Sequence, residues 1–109
     1  MRRVDEAVRA VLSDTIASQL KDPRVGFVTV TSVQTSPDLR HARVYVSVLG
    51  DEPTRAASLE GLRSAHGFLQ RELARQLTLK HTPALTFAYD DTIDKGMRIT
   101  ELLDENRQR

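Results

Sequence analysis

The chain contains no cysteine, which excludes a disulfide framework, a thiolate zinc site and a thiol nucleophile, and fits a reducing cytoplasm. Its five glycines, at 26, 50, 61, 67 and 96, are too scattered for a P-loop or a dinucleotide fingerprint, both of which need closely spaced glycines after a strand. His41, His66 and His81 lie far apart and outside any His-Glu-x-x-His spacing, so no metal site is expected. No apolar run approaches the roughly 18 residues of a spanning helix. The N-terminus, Met1-Arg2-Arg3-Val4-Asp5-Glu6, lacks the apolar core of a signal peptide. Neither membrane insertion nor export is expected, which leaves a cytoplasmic protein. Aromatic residues make up only 5% of the chain. Phe87 and Tyr89 share parity with Leu85 and read as core, so a sheet that stacks bases on several rings is a poor fit.

What is present is an ordinary globular composition: 39% apolar and 28% charged residues in a chain of 109. That length suits one domain over residues 1–109, with the last few residues fraying as termini do. The formal net charge is +1, but it is unevenly placed. Residues 61–83 carry Arg63, Arg71, Arg75 and Lys80 against Glu72 alone. Residues 90–105 carry Asp90, Asp91, Asp94, Glu101, Asp104 and Glu105 against Lys95 and Arg98. A basic segment attracts polyanions at long range, and an acidic one repels them and orients the encounter.

Periodicity divides the chain. Val4, Ala7, Val8, Val11, Leu12, Ile16 and Leu20 recur at steps of three and four, so the first twenty residues or so form an amphipathic helix, which Lys21-Asp22-Pro23 stops. Residues 27–33 are β-branched apart from Phe27 and Ser32, and the slip in apolar phase between Val30 and Val33 predicts a bulge. Ser36-Pro37-Asp38-Leu39 closes a hairpin. Ala42, Val44, Val46 and Val48 then alternate with Arg43, Tyr45, Ser47 and Leu49, as in a sheet with one face on a core. Pro53 and Thr54 suit a helix start. Leu59, Leu62, Ala65, Leu69, Leu73 and Leu77 continue at helical spacing to about residue 78, interrupted at Ala65-His66-Gly67, where two helices meet and Gly67 sets the bend. Leu85, Phe87 and Tyr89 mark a third strand, and a short last helix begins at Asp91 or Thr92. The order is α-β-β-α-kink-α-β with an optional final helix: a three-stranded sheet with helices on one face.

Asp90, Asp91 and Asp94 read as helix-capping carboxylates before they read as a cation site or an acid–base pair. The helix pair is the better candidate surface. Arg71 and Arg75 are four apart and share a face, with Arg63 and His66 just before the bend. Phosphate recognition needs only positive charge and backbone donors, and an exposed helix N-terminus at a bend adds the donors. The expected phosphate contacts are Arg63, His66, Gly67, Arg71, Arg75 and Lys80, with Arg2, Arg3, Arg40 and Arg43 in second rank and Ala65 and Gly67 forming the kink. Two other readings stay open: a protein-interaction module using the acidic final helix, and an RNA-modifying enzyme using the aspartate cluster.

Several stretches also resemble the ribosome-binding factor A family of bacterial ribosome-assembly proteins. They are residues 21–28, Lys-Asp-Pro-Arg-Val-Gly-Phe-Val; residues 36–47, from Ser36-Pro37-Asp38 to Tyr45-Val46-Ser47; Ala65-His66-Gly67; and residues 82–87, Thr-Pro-Ala-Leu-Thr-Phe. The resemblance implies a type II KH-like α+β fold, in agreement with the element order. KH domains that clamp single strands use a Gly-x-x-Gly loop, whereas Ser64-Ala65-His66-Gly67 is similar to the Ala-x-Gly kink of this family. Folded rRNA read by shape and phosphate contact is therefore implied. So are late maturation of the small ribosomal subunit, processing of its rRNA near the 5′ end, and a link to growth in the cold. The implied partners are the small subunit, its rRNA and a ribosome-associated GTPase that releases the factor. The protein is expected to be a monomer, with no cofactor and no catalytic residue.

Overall fold

The computed structural model describes residues 2–90. The expected final helix and the acidic element beyond Asp90 lie outside those residues. Within them the order is α1 (Arg2–Ser18), β1 (Val28–Thr35), β2 (His41–Val48), α2 (Glu52–Ser64), α3 (His66–Gln76) and β3 (Ala84–Tyr89). The sheet runs β1-β2-β3, with β1 and β2 antiparallel and β2 and β3 parallel. The parallel pair requires a crossover, which α2 and α3 supply. No helix among the described residues is long and apolar enough to cross a membrane.

The core forms where the apolar parities meet. Val8, Leu12 and Ile16 of α1, Val30 and Val33 of β1, the four alternate residues Ala42 to Val48 of β2, Leu62, Leu69, Leu73 and Phe87 are all buried. Leu85 and Tyr89 are half-buried against this cluster. The bulge lies where the phase slip placed it. Val30 faces Val46 and Ser32 faces Tyr45, leaving Thr31 as the extra residue. Its hydroxyl donates to the Asp90 carboxylate at 2.6 Å and so ties β1 to the end of β3.

α1 ends at Ser18, earlier than Pro23 alone would dictate, because the Gln19 and Leu20 N–H groups both close on the Thr15 carbonyl. At its start, Asp5 accepts from the Thr35 N–H at 3.0 Å and the Thr35 hydroxyl at 2.5 Å, fixing the far end of β1. Thr15 is fully buried and its hydroxyl has no partner among the described residues. Replacing an unsatisfied buried hydroxyl with an apolar group of the same shape relieves its desolvation cost. Thr15→Val is therefore expected to raise the unfolding free energy by about 1 kcal/mol, read from the denaturant midpoint at unchanged slope.

α2 starts earlier than Pro53 and Thr54 suggested. Asp51 is the cap, accepting from the Thr54 N–H at 3.0 Å, with Pro53 inside the first turn. The Thr54 hydroxyl and N–H hold the Asp51 carboxyl below its ordinary range. One face of α2 presses on the loop before β1. A Cβ on Gly61 would sit 2.7 Å from Val25 Cγ2, so glycine is needed for this close approach. Buried Ser58 accepts from the Gly26 N–H at 3.2 Å and donates to the Arg24 carbonyl at 3.3 Å, which satisfies two backbone groups of a loop that has no ladder of its own.

Candidate nucleic-acid interface

The α2–α3 junction turns at Ala65, whose φ of −91° and ψ of 7° lie in the bridge region. Gly67 does not set the bend. It has no positive φ, and a Cβ there would meet only Arg71 Nη1, at 3.6 Å. That separation is ordinary van der Waals contact, so a methyl group at position 67 would fit beside the Arg71 guanidinium. The first turn of α3 has no side-chain cap among the described residues, so its N–H groups keep the positive end of the helix dipole available to an anion.

His66 opens α3, and its Nδ1 lies 2.8 Å from the Arg63 carbonyl. A carbonyl only accepts, so Nδ1 carries the proton and Nε2 is left for another partner. Arg63 reaches across to β3, where Nη2 lies 3.5 Å from the Phe87 carbonyl, a long contact. Arg75 differs from Arg71. Its guanidinium donates to Glu72 at 2.7 Å, and Gln76 adds a bond at 3.0 Å to the same carboxylate. These partners push the Glu72 carboxyl below its ordinary range, so Arg75 is a neutralised pair on the helix surface.

Two clefts open beside the kink. The first is lined by Gly67, Gln70, Arg71, Ala74 and Thr82. The second is lined by Arg40, His41, Gln70, Lys80, His81 and Thr82, together with Ala84. Gln70 and Thr82 belong to both, so the two lie side by side. The structure thus brings Gly67, Arg71, Lys80 and Arg40 together. Arg75 and Arg63 stand outside these clefts, Arg3 is exposed on α1, and Arg2 opens that helix. Arg43 projects from the open face of β2, opposite Thr86 of β3.

Sequence reading missed Gln70, Thr82 and His41 as lining residues. Gln70 was visible in principle, since positions 67, 70, 71 and 74 share one helical face. Thr82 and His41 come together only through the parallel pairing that sets His41 against Ala84. Among the described residues no group of three or more His, Asp or Glu side chains is placed to hold a metal ion.

The family model described as ribosome-binding factor A matches residues 1–103. A ribosome-binding factor A of Anaeromyxobacter sp. (strain Fw109-5) is 51% identical over 108 residues, covering 98% of this chain and 88% of its own. The crystal structure of ribosome-binding factor A from Thermus thermophilus superposes with a TM-score of 0.73 at 28% identity, covering 81% of this chain and 92% of that one. A Thermus thermophilus ribosome-binding factor A model, fitted into the cryo-EM map of its complex with the 30S subunit, gives a TM-score of 0.66 at 29% identity over 79% of this chain and 90% of that one. The fold is accordingly KH-like, of the α+β class.

Proposed function

Because this chain belongs to the ribosome-binding factor A family, we propose that it binds the small ribosomal subunit as a stoichiometric, non-catalytic assembly factor. It contacts rRNA phosphates through the clefts beside the helix kink. Arg71 and Lys80 supply charge, the α3 N-terminus supplies backbone donors, and His66 offers Nε2. The observation that carries the reading is the pair of adjacent clefts lined by Arg71, Lys80 and Arg40 in a fold shared with a relative fitted into a 30S complex. Such contacts position a protein on RNA without reading sequence. The finer roles are late maturation of the subunit, processing of its rRNA near the 5′ end with most effect in the cold, action as a monomer, and release by a ribosome-associated GTPase.

Sedimentation of the purified chain with small subunits and with full ribosomes, across a salt series, tests this. Selective association with small subunits that weakens as salt rises is expected, because phosphate contacts release counterions. No association at any salt overturns the reading.

A further inference from the structure

The face of the sheet turned away from the helices ends in an apolar pair. The Leu49 N–H, just past β2, donates to the Phe27 carbonyl at 3.1 Å. This extends the pairing of Val28 with Val48 by one step and sets the two side chains next to each other. Their parity is that of Thr29 and Ser47, opposite to buried Val30, Val46 and Val48. Phe27 is 80% exposed and Leu49 is 75% exposed, so two large apolar groups forgo the gain that covering them would bring. The cleft they line also holds Thr29, Ser47, Arg55 and Asp90. The Arg55 guanidinium lies over the Tyr89 ring at 4.8 Å, and Asp90 accepts from the Thr31 hydroxyl at 2.6 Å. One cation and one carboxylate give a polyanion little to gain here, and an apolar occupant fits better.

The chain itself supplies such an occupant. β3 runs parallel to β2 with Tyr89 level with Val46, and the Asp90 N–H donates to the Val46 carbonyl at 2.7 Å. Asp90 therefore stands level with Ser47, and two further residues bring the chain level with Leu49. The sequence continues Asp91-Thr92-Ile93-Asp94-Lys95-Gly96-Met97, with Ile93 and Met97 four apart. On a helix capped by Asp91 or Thr92, these side chains stand about 5–6 Å apart on one face. That matches the roughly 5.5 Å between directly opposed residues of a hydrogen-bonded antiparallel pair, and methionine adapts to an irregular apolar surface. Gly96 lowers the propensity of so short a helix, so packing against the sheet has to hold it.

We propose that residues 91–103 fold back over the Leu49 end of the sheet as a helix, with Ile93 and Met97 covering Phe27 and Leu49. Docked there, Asp91 and Asp94 are held at the end of β2 away from His41, about 26 Å along the strand at roughly 3.3 Å per residue. That is about three Debye lengths at physiological salt, so these carboxylates do not compete for the clefts of Arg40 and Lys80. The docking does not depend on rRNA binding.

Hydrogen exchange of the full chain, read amide by amide by NMR, tests it. A helix this short does not protect its amides alone in water. Covering two apolar side chains, less the cost of ordering the segment, is expected to slow exchange at residues 96–103 by at least about tenfold relative to a peptide of the same sequence. A Phe27→Ser, Leu49→Ser variant should lose that protection and keep the protection of Val44 and Val46, since neither replaced side chain belongs to the core. An Ile93→Ser, Met97→Ser variant should lose it as well, and it decides the matter if the first variant unfolds. Peptide-like exchange in the wild type overturns the proposal, as does protection that survives in the folded variants. Protection that appears only as protein concentration rises assigns the apolar pair to a second copy of the chain and overturns it too.

Discussion

Reversing Arg71 and Lys80 together, as Arg71→Glu and Lys80→Glu, is expected to weaken association with the small subunit by on the order of a hundredfold at moderate salt. Each side chain is exposed and lines a cleft. In the proposed interface each would supply a charge-assisted contact to phosphate worth about 1.5 kcal/mol or more, roughly tenfold apiece. The slope of log affinity against log salt should also fall by about two, one for each phosphate that the variant no longer neutralises. Neither residue is part of the core, so the melting curve should hardly move. Wild-type affinity in the folded variant would remove the clefts from the interface. The matching change at Arg75 has a smaller expected effect, because Glu72 already holds that guanidinium.

Phe87→Ala is expected to lower the unfolding free energy by about 3–5 kcal/mol, a large share of the roughly 5–15 kcal/mol that holds a domain together. Phe87 is 2% exposed and is the one fully buried side chain of β3. Among the described residues β3 is an edge strand that pairs with β2 alone, and its other core-facing side chains, Leu85 and Tyr89, are only half-buried. A domain of this size loses about 4–8 °C of melting temperature per kcal/mol, so a fall of at least about 12 °C is expected. A loss below about 1 kcal/mol in a denaturant melt would contradict the packing of β3 described above. RNA binding should fall with it, since β3 ends the loop that carries Lys80, His81 and Thr82.

The elements were legible because their periods are clean. The alternation Ala42 to Val48 and the spacing Val8, Leu12, Ile16 each admit one reading, and even the bulge at Thr31 showed as a parity slip. Boundaries were less legible where a side chain acts across the end of an element. Asp51 captures the Thr54 N–H and moves the start of α2 forward, and Leu77 turns extended to reach the core, ending α3 short of residue 78. Gly67 misled for a related reason. A glycine inside a helical pattern suggests backbone need, but here φ is ordinary and a Cβ would fit, whereas Gly61 is the glycine that packing demands.

The lining of the clefts was half legible. Arg71 and Lys80 stand out as charges in a basic segment, but which cations share a surface depends on long-range pairing that spacing cannot reveal. Helical arithmetic joined Arg71 to Arg75. The fold joins it instead, through Gln70 and Thr82, to Lys80 and Arg40.

The mixed pairing of the sheet also dictates the order in which this surface comes into being. β1 and β2 are joined by a short turn, whereas β3 reaches β2 only after all of α2 and α3 has crossed over. Closing the longer loop costs more chain entropy, and contacts between distant residues form late. The hairpin delivers Arg40, His41 and Arg43; the arrival of β3 delivers Lys80 and Thr82. A chain halted before that step has no weakened version of the clefts, because each needs residues from both sides of it. The clefts are therefore complete only once the edge strand has docked, and a chain stalled before that step lacks the surface proposed to meet rRNA.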